Sequence, residues 1–584
     1  MRRERFAPPL GKRASPPRTE ISGLRLGLGL RSQFKSMGAQ ETRDSLFGIM
    51  GQAVPRSDVE ESLELADGLS IFGSLPPERD VDSSIQDGML PPEVPEDAAT
   101  QFYLGAKLAL GQGVEPDYAE SVKWFKRSAE QNYVEAQCSL AEMYIQGWGV
   151  ARDPAEAARW YERAAGLGSA NAQNNLGTLY ATGDGVRLDH GEAVRWFRKA
   201  AKQNHPKAQY NLGLIFSAGQ GAMQDEERSA RWFKQAAKQG HAGAQYQLGV
   251  RYGVGRGLAR DHAKAAKWFR LAAEQGNPHA QLCLGILYFE GSGVAWNRNL
   301  AAEWFHRAAD QGDNEAQFKL GLMYFEGDGV EQDHSKALEW YRLAADAGNA
   351  RAQHNLGLMY AEGVGVKRNR STGGRLLHMA AEQGHAMAQF RLGWMYFLGR
   401  DVKQDDQEAA RWSRLAAEQN NSYAQYNLGL MYANGRGVVQ DFGKAIDLYQ
   451  LAAADDLAEA QNALGDTCAE GRGVERNEVE AVQWYRLAAE HGYPAAQRNL
   501  GNMYADGRGV EQDDAEAARW HGVAEQSSAA WSDCDVITTG FTPYEDEDEW
   551  DAYVASKLSR EIEAGPGNTI HEASLDSIAS PGNA

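Results

Sequence analysis

The side chains that most often carry chemistry in proteins are few in this sequence and lie far apart. The chain of 584 residues has 13 histidines, and three of them, His205, His241 and His385, are too widely spaced to suggest a chelating group. No Cys-x-x-Cys motif occurs. The four cysteines are Cys138, Cys283, Cys468 and Cys534. We therefore predict buried or incidental thiols, no disulfide framework, no metal site and no cofactor.

The glycine-rich segments also lack the context of a nucleotide-binding loop. Each Gly-x-Gly segment follows a helical pattern rather than a strand, and no Lys-Ser or Lys-Thr comes after it. No Ser-His-Asp or Cys-His pairing stands out either. The sequence therefore predicts a protein that is not an enzyme.

The elements that would have to position any site are repeats. A degraded copy at Thr100-Gln101 is followed by an Ala-Gln pair every 36 residues, which gives twelve units without insertions. The alanines of these pairs are Ala136, Ala172, Ala208, Ala244, Ala280, Ala316, Ala352, Ala388, Ala424, Ala460 and Ala496. A fixed period of this size is typical of a solenoid, in which each unit buries its apolar face only against its neighbours.

Each unit predicts two helices joined by a turn. In the unit 314–349, Ala316, Leu320 and Tyr324 share one face of a first helix, which the glycines from Gly327 onward end. Asp333 caps a second helix. The apolar stripe of that second helix is Ala337, Trp340, Tyr341, Ala344 and Ala345, and Gly348 ends it.

The positions that stay fixed among the twelve copies indicate what the packing requires. The leucine of the first helix is present in every copy, and the next residue is Gly in eleven copies and Ala141 in the other. We therefore expect two helix backbones to approach closely there. The cap of the second helix is Asp or Asn in all twelve copies, because a short acceptor is needed to reach the free N–H groups.

The repeated pattern A-Q-x-x-L-G-x-x-Y-x-x-G-x-G-V-x-x-D-x-x-K-A-x-x-W-Y-x-x-A-A-x-x-G resembles the Sel1-like repeat, a relative of the tetratricopeptide repeat. The resemblance covers roughly residues 98–526. It implies an all-α, right-handed superhelical solenoid that acts as an adaptor between proteins, with no shared enzymatic activity. A cysteine-rich bacterial branch of the family carries a disulfide in each unit; this chain lacks that pattern, so the activity reported for the branch is not carried over.

The chain divides into four segments by composition. Residues 1–40 form a basic leader with a net charge of +7, and residues 41–93 are acidic and predicted to be mostly disordered. The solenoid takes 94–526, and an acidic tail follows at 527–584. Within the tail, a capping box and an apolar stripe predict a helix near 543–564 that covers the exposed end of the last repeat.

The segments before and after the repeats give information about the cellular compartment of the protein and the kind of molecule it binds. The leader lacks an uninterrupted apolar core, so a secretory signal is not expected. It fits an organelle transit peptide. Alternatively, it is upstream sequence wrongly joined to the gene, and translation begins at Met37. If translation begins at Met37, Gly38 and Thr42 fit a short myristoylation motif.

We predict a cytoplasmic protein, or an organelle-targeted one if the leader is a transit peptide, without a membrane span. Because the formal net charge is −20, nucleic acid is not an expected partner.

A second stripe on the first helices is the strongest candidate for a binding surface. It occupies the residues two, six and nine places after the repeated Ala, which lie on one face, and it is apolar in the middle of the array and polar at the ends. The stripe residues are Leu282, Ile286, Phe289, Phe318, Leu322, Phe325, Phe390, Trp394 and Phe397. They either line a concave groove for a protein segment or are buried between adjacent first helices by tight coiling.

Two further rows repeat at fixed positions. Arginines in four successive turns could receive an acidic peptide, including the chain's own tail, or could be solvated beside cap aspartates. These are Arg400, Arg436, Arg472 and Arg508. A ladder of asparagines on the first helices could bind a peptide backbone, although a structural role is favoured.

The eighth repeat departs from the pattern. Gly373 and Gly374 lie inside its second helix and Leu376 replaces the usual Trp, which predicts a weakened unit or a hinge.

Together these observations predict a non-catalytic adaptor or scaffold that binds protein partners through a concave surface. The alternative is a regulatory subunit whose acidic flanks recruit or anchor an enzyme. A third possibility is an enzyme with an unrecognised site.

Overall fold

A computed structural model describes residues 96–112 and 115–531 of the chain. The helix predicted near 543–564, the acidic segment before residue 94 and the basic leader lie outside these residues. The described part is all helical, with two helices in each of twelve successive units and no strand. The all-α solenoid predicted from the period is therefore confirmed.

The helices are labelled in chain order. They are α1 (Ala98–Leu110), α2 (Tyr118–Glu130), α3 (Val134–Gln146), α4 (Pro154–Gly166), α5 (Ala170–Thr182), α6 (His190–Lys202), α7 (Pro206–Ala218), α8 (Glu226–Lys238), α9 (Ala242–Val254), α10 (His262–Glu274), α11 (Pro278–Glu290), α12 (Arg298–Ala309), α13 (Asn314–Glu326), α14 (His334–Asp346), α15 (Ala350–Glu362), α16 (Arg370–Glu382), α17 (Ala386–Leu398), α18 (Asp406–Ala417), α19 (Ser422–Asn434), α20 (Phe442–Ala454), α21 (Ala458–Glu470), α22 (Glu478–Glu490), α23 (Pro494–Asp506) and α24 (Asp514–Trp531). Odd-numbered helices are the first helices of repeats one to twelve, and even-numbered helices are the second.

Packing is local, as a solenoid requires. Each helix packs on the next one in the chain, and the first helices of repeats seven and eight, α13 and α15, also touch each other. The last helix runs to Trp531, five residues past the predicted end of the array at 526. The other second helices have twelve or thirteen residues and end earlier because a turn follows them.

The predicted turn chemistry is confirmed. In repeat seven, Gly327 adopts a left-handed conformation with φ of 74° and ends α13. The Oδ1 atom of Asp333 accepts hydrogen bonds from the backbone N–H groups of Ser335 and Lys336 at the start of α14. The same acceptor role is found at the Asp or Asn of all twelve second helices.

The glycine that follows the leucine of the first helix is required for a different reason from the predicted close approach of two helix backbones. A Cβ atom on Gly321 would lie 2.5 Å from the Cδ1 atom of Tyr341, so the glycine makes room for an aromatic ring on the second helix. Tyr341 is fully buried. The close approach is therefore between a backbone and a ring, rather than mainly between two backbones.

The glutamine of the repeated Ala-Gln pair ties the two helices of a repeat to the preceding one. In repeat eight, Gln353 Nε2 donates to the carbonyl of Ala345 at 3.1 Å, and its Oε1 accepts from Gln383 Nε2 at 2.7 Å. Four repeats have neither Gln nor His at the position of Gln383, and the buried Oε1 atom of their glutamine has no protein partner among the described residues. These glutamines are Gln137, Gln317, Gln425 and Gln497. The residues in the place of Gln383 in their repeats are Leu167, Ala347, Asp455 and Ser527. An unmatched buried acceptor weakens those repeats.

Replacing Ala347 with glutamine is therefore expected to stabilise the protein by about 1 kcal/mol, because the new amide can donate to Gln317 as Gln383 donates to Gln353. The urea midpoint of the wild type and of A347Q measures the gain. The reverse change, Gln383→Ala, should lower the midpoint by a similar amount. An unchanged midpoint in both variants would contradict the role assigned to this hydrogen bond.

Candidate functional site

The nine residues of the predicted groove have two different environments. Five are buried, with exposed fractions between 1% and 5%: Leu282, Ile286, Phe318, Leu322 and Phe325. The other four are half-buried: Phe289, Phe390, Trp394 and Phe397. The stripe is therefore occluded in repeat seven and mostly occluded in repeat six, and the three aromatic residues of repeat nine stay partly accessible.

The polar ends of the stripe do not form an exposed rim throughout. Asn174 and Thr178 in repeat three are buried, as is Asn462 in repeat eleven. Only toward the carboxyl end does the stripe open, since Asp466 is half-buried and Asn502 is exposed. The stripe does change from apolar in the centre to polar at the ends, as the sequence suggested, but most of its residues are buried and do not form a surface.

The aromatic residues of repeat nine form a compact cluster on α17. Trp394 and Phe397 stack with ring centroids 5.3 Å apart and an interplanar angle of 12°. Phe390 lies 5.9 Å from the ring of Tyr423, at the start of the next first helix. The guanidinium carbon of Arg436 lies 3.9 Å from the centroid of Phe397. Phe390, Trp394 and Phe397, with Tyr423 and Arg436 beside them, are called the repeat-nine aromatic cluster below.

The cluster is partly exposed in repeat nine, where two residues depart from the repeat pattern. In repeat nine, Asp401 replaces the second glycine of the turn and keeps a positive φ of 58°. At that position in repeat ten, a Cβ atom on Gly437 would lie 1.8 Å from the carbonyl oxygen of Asp406, on the preceding second helix. Repeat nine therefore accommodates a side chain at a position where the next junction leaves no room for a Cβ atom. Ser413 also stands where most repeats have a buried ring.

Repeat eight, which precedes this junction, keeps an unbroken second helix. The helix α16 starts at the Asn369 cap and includes both interior glycines. A Cβ atom on Gly373 would lie 2.6 Å from the carbonyl oxygen of Gly357, so this glycine permits α15 and α16 to approach closely. The structure gives the glycine a packing role, and the predicted hinge remains a prediction.

The arginine row is largely satisfied within the array. Arg436 forms a bidentate pair with Asp406, at 2.6 and 3.2 Å, and Arg508 pairs with Glu478 at 2.9 Å. Arg472 pairs with Glu470 of its own repeat, and Arg400 is not free either. In repeats six and seven the same contact occurs with the charges exchanged, since Arg298 pairs with Asp328 at 2.7 Å. Two members of the row therefore join successive repeats, which leaves less charge for an acidic partner.

The asparagine ladder is used for internal hydrogen bonds. Asn175 donates to the Tyr161 hydroxyl at 3.1 Å, and Asn499 donates to Asn462 at 3.0 Å. The same side chain, Asn499, also donates to Asp466 at 3.3 Å. The structural role favoured for this ladder is what these contacts show.

The titratable groups inside the superhelix are held by their neighbours. Asp466 accepts from the Tyr485 hydroxyl at 2.8 Å and from Asn462 at 3.1 Å, and burial raises the pKa of Asp466 to about 6. Glu142 occupies the same position in repeat two and accepts from the Tyr161 hydroxyl at 2.8 Å. Tyrosine hydroxyls and side-chain amides donate to both carboxylates, from Asn462 to Asp466 and from Gln146 to Glu142, so these contacts give the two groups a structural role.

The histidines at the turns have a role that sequence analysis did not find. His205, His241 and His385 each accept a hydrogen bond, through Nδ1, from the backbone N–H three residues later. Asn277, Asp313, Asn349 and Asn421 perform the same capping at the equivalent positions. The signal was available in the sequence, because all of these residues occupy the last place of a repeat.

The remaining chemical candidates form no site within the part of the chain that the structure describes. Cys138, Cys283 and Cys468 are buried free thiols, and burial raises the pKa of Cys138 to about 11, while Cys534 lies outside the described residues. Between residues 96 and 531, where the structure is described, no group of three or more His, Cys, Asp or Glu could hold a metal ion. In the same part of the chain, no helix is both long and apolar enough to cross a bilayer.

Comparison with known proteins adds a family match and related folds. The Sel1 repeat family model matches twelve consecutive segments, from 98–133 to 494–524. A protective antigen of uropathogenic Escherichia coli that displays an SLR fold is 33% identical, with a TM-score of 0.63, and the match covers 76% of this chain and 94% of that one. A Sel1 repeat protein from Oxalobacter formigenes is 34% identical over 57% of this chain and 95% of that one, with a TM-score of 0.42. No curated protein is significantly similar.

Proposed function

Because the chain belongs to the Sel1 repeat family, we propose that it is a non-catalytic adaptor that binds a segment of a partner protein at the repeat-nine aromatic cluster. The nine-residue groove of the sequence analysis is thereby narrowed to Phe390, Trp394 and Phe397. The five buried stripe residues pack inside repeats six and seven and do not contact the partner.

One observation supports this location above the others. In repeats one to eight, the residue equivalent to Trp394 is buried, whereas Trp394 and both of its aromatic companions on α17 are partly exposed. Apolar side chains left accessible together are unusual unless something covers them. Aromatic residues and arginine are also the side chains that most often dominate binding energy at protein interfaces.

The contacts within the cluster define the chemistry of the partner. The Arg436 guanidinium is already paired with Asp406 and lies over Phe397, so it buttresses the aromatic surface. A partner segment that presents one or two aliphatic or aromatic side chains fits this surface better than a strongly acidic one. A short helical or extended segment provides such anchors.

Trp394→Ser with Phe397→Ser is expected to reduce the recovery of the partner at least tenfold in a quantitative affinity purification. Leu451→Ser is the matched control, because Leu451 is 55% exposed on a second helix and lies outside the cluster. Circular dichroism and thermal unfolding show whether each variant is folded. If the folded double variant retains every partner of the wild type, the proposed site is wrong.

Deleting residues 41–93 or 541–584 separates this function from the regulatory-subunit alternative. An adaptor that works through repeat nine retains its partner without these flanks. If a flank deletion abolishes the effect on an enzyme while the double variant does not, the regulatory-subunit alternative is supported instead.

A further inference from the structure

The outer edge of repeat eight is basic, although the chain as a whole is acidic. Residues 363–381, which include the turn after α15 and most of α16, contain four basic residues and no Asp or Glu, whereas the formal net charge of the chain is −20. The four residues are Lys367, Arg368, Arg370 and Arg375. They are called the repeat-eight basic edge.

Two residues of this edge are accessible, and neither forms an ion pair with a carboxylate among the described residues. Lys367 lies in the turn and Arg375 on α16, both exposed, and neither forms an ion pair within the described part of the chain. Arg368 Nε donates to the carbonyl of Ala361 at 2.9 Å, which fixes the turn. Met379, 40% exposed, lies one turn along α16 from Arg375 and adds an apolar surface to the edge.

The most complementary segment is in the same chain. Beyond Trp531 the sequence continues for 53 residues and contains six acidic residues in the seven positions 545–551, interrupted only by Trp550. We propose that the acidic segment 545–551 binds the repeat-eight basic edge of its own chain, with Trp550 against Met379. Opposite charges at close range stabilise such a contact, and the tether raises the local concentration of the segment.

The tether is long enough for this contact. Between Trp531 and the acidic segment lie 13 residues before Glu545 and 19 before Asp551. When extended, this chain spans up to about 45–70 Å. Eight steps between packed helices, each about 8–10 Å, lead from α16 to α24. Because the steps zigzag between first and second helices, the direct distance is well below their sum of about 64–80 Å.

The end of repeat twelve, where the sequence predicts that 543–564 docks, is a poorer match in charge. Only Arg519 is basic in the last part of that repeat, 509–526, and it pairs with Glu516 at 3.0 Å. Five acidic residues surround it: Glu511, Asp513, Asp514, Glu516 and Glu525. Like charges repel, so repeat twelve disfavours an approach by the acids of segment 545–551.

Carbodiimide cross-linking of the full-length protein, followed by mass spectrometry, tests the proposal, because the reagent joins lysine directly to carboxylates. We expect a cross-link from Lys367 to the peptide containing 545–551, at least fivefold weaker in Arg375→Glu and in 0.5 M salt, since about 0.5 M salt screens exposed charges beyond a few ångströms. Lys267→Glu is the control, because Lys267 occupies on α10 the position that Arg375 occupies on α16. It should leave the cross-link unchanged.

A mixture of ¹⁴N- and ¹⁵N-labelled protein distinguishes contacts within one chain from contacts between chains. Cross-links that join light to heavy peptides would show that the segment binds a second copy and would overturn the proposal. Cross-links from Lys557 to Asp513, Asp514 or Glu516 would place the tail at repeat twelve and would also overturn it. So would a Lys367 cross-link that Arg375→Glu does not weaken. None of these results bears on the repeat-nine aromatic cluster, so the two proposals fail separately.

Discussion

Replacing Gly437 with alanine is expected to destabilise the protein by about 2–5 kcal/mol. Gly437 has a φ of +67°, and a Cβ atom there would lie 1.8 Å from the carbonyl oxygen of Asp406 at the start of α18. The backbone strain of a non-glycine residue and the displacement of a whole repeat both contribute. Because each repeat is stabilised only by its neighbours, the loss should appear as earlier urea unfolding of repeats nine and ten.

Two matched substitutions separate the clash from the strain. Gly348→Ala places a methyl group where φ is +89° but no atom lies within 4 Å, so it should cost only about 1 kcal/mol. Asp401→Gly restores the usual residue at the equivalent position of repeat nine and should stabilise the protein by up to about 1 kcal/mol. If Gly437→Ala costs no more than Gly348→Ala, the close contact between repeats is not what fixes this glycine.

Acidification is expected to weaken the array at its histidine caps. Burial is the main cause that lowers the pKa of His385 to about 4, and the same holds for His205. Nδ1 of each histidine must stay unprotonated, because it accepts the N–H of Ala388 or Ala208. In the unfolded chain these histidines take up a proton near pH 6.5.

The direction of the pH effect follows from these values. Above pH 6.5 both states hold neutral histidine, so the caps contribute fully; between pH 6.5 and 4 only the unfolded state binds the proton, and stability falls. Each histidine accounts for a loss of up to about 3 kcal/mol over this range. Asp466 acts in the opposite direction, because its pKa of about 6 in the folded protein lies above the ordinary value of 3.8 for an aspartate.

His205→Asn combined with His385→Asn isolates the histidine contribution from that of Asp466. Asparagine already caps the equivalent helices at Asn349 and Asn421, so the variant keeps the hydrogen bond and loses the titration. We expect urea midpoints that match the wild type at pH 7.5 and exceed it clearly at pH 5. Parallel pH profiles for the two proteins would contradict the assignment.

The sequence predicted the fold well because the interactions that define it are short in range and repeat twelve times. Asp333 caps the helix that follows it, and Gly327 ends the helix before it, so each can be recognised within one unit. The glycine beside Tyr341 was recognised as necessary for a different reason, because one sequence cannot show which group approaches it. The capping histidines were missed because they were considered as ligands and not as the last residue of a repeat.

The candidate site depended on information that no single repeat contains. Phe325 and Phe397 have the same residue type at the same position, yet Phe325 is 3% exposed and Phe397 is half-buried. In repeat nine, Asp401 and Ser413 replace the usual glycine and ring, and Ser413 packs on Gly393 within the repeat. The sequence alone thus determined the helices, the turns and the number of repeats, because local hydrogen bonds and apolar spacing specify them. Only the tertiary structure decided which face of the superhelix is accessible, because accessibility depends on the angle between neighbouring repeats, and side chains from both sides of each junction set that angle together.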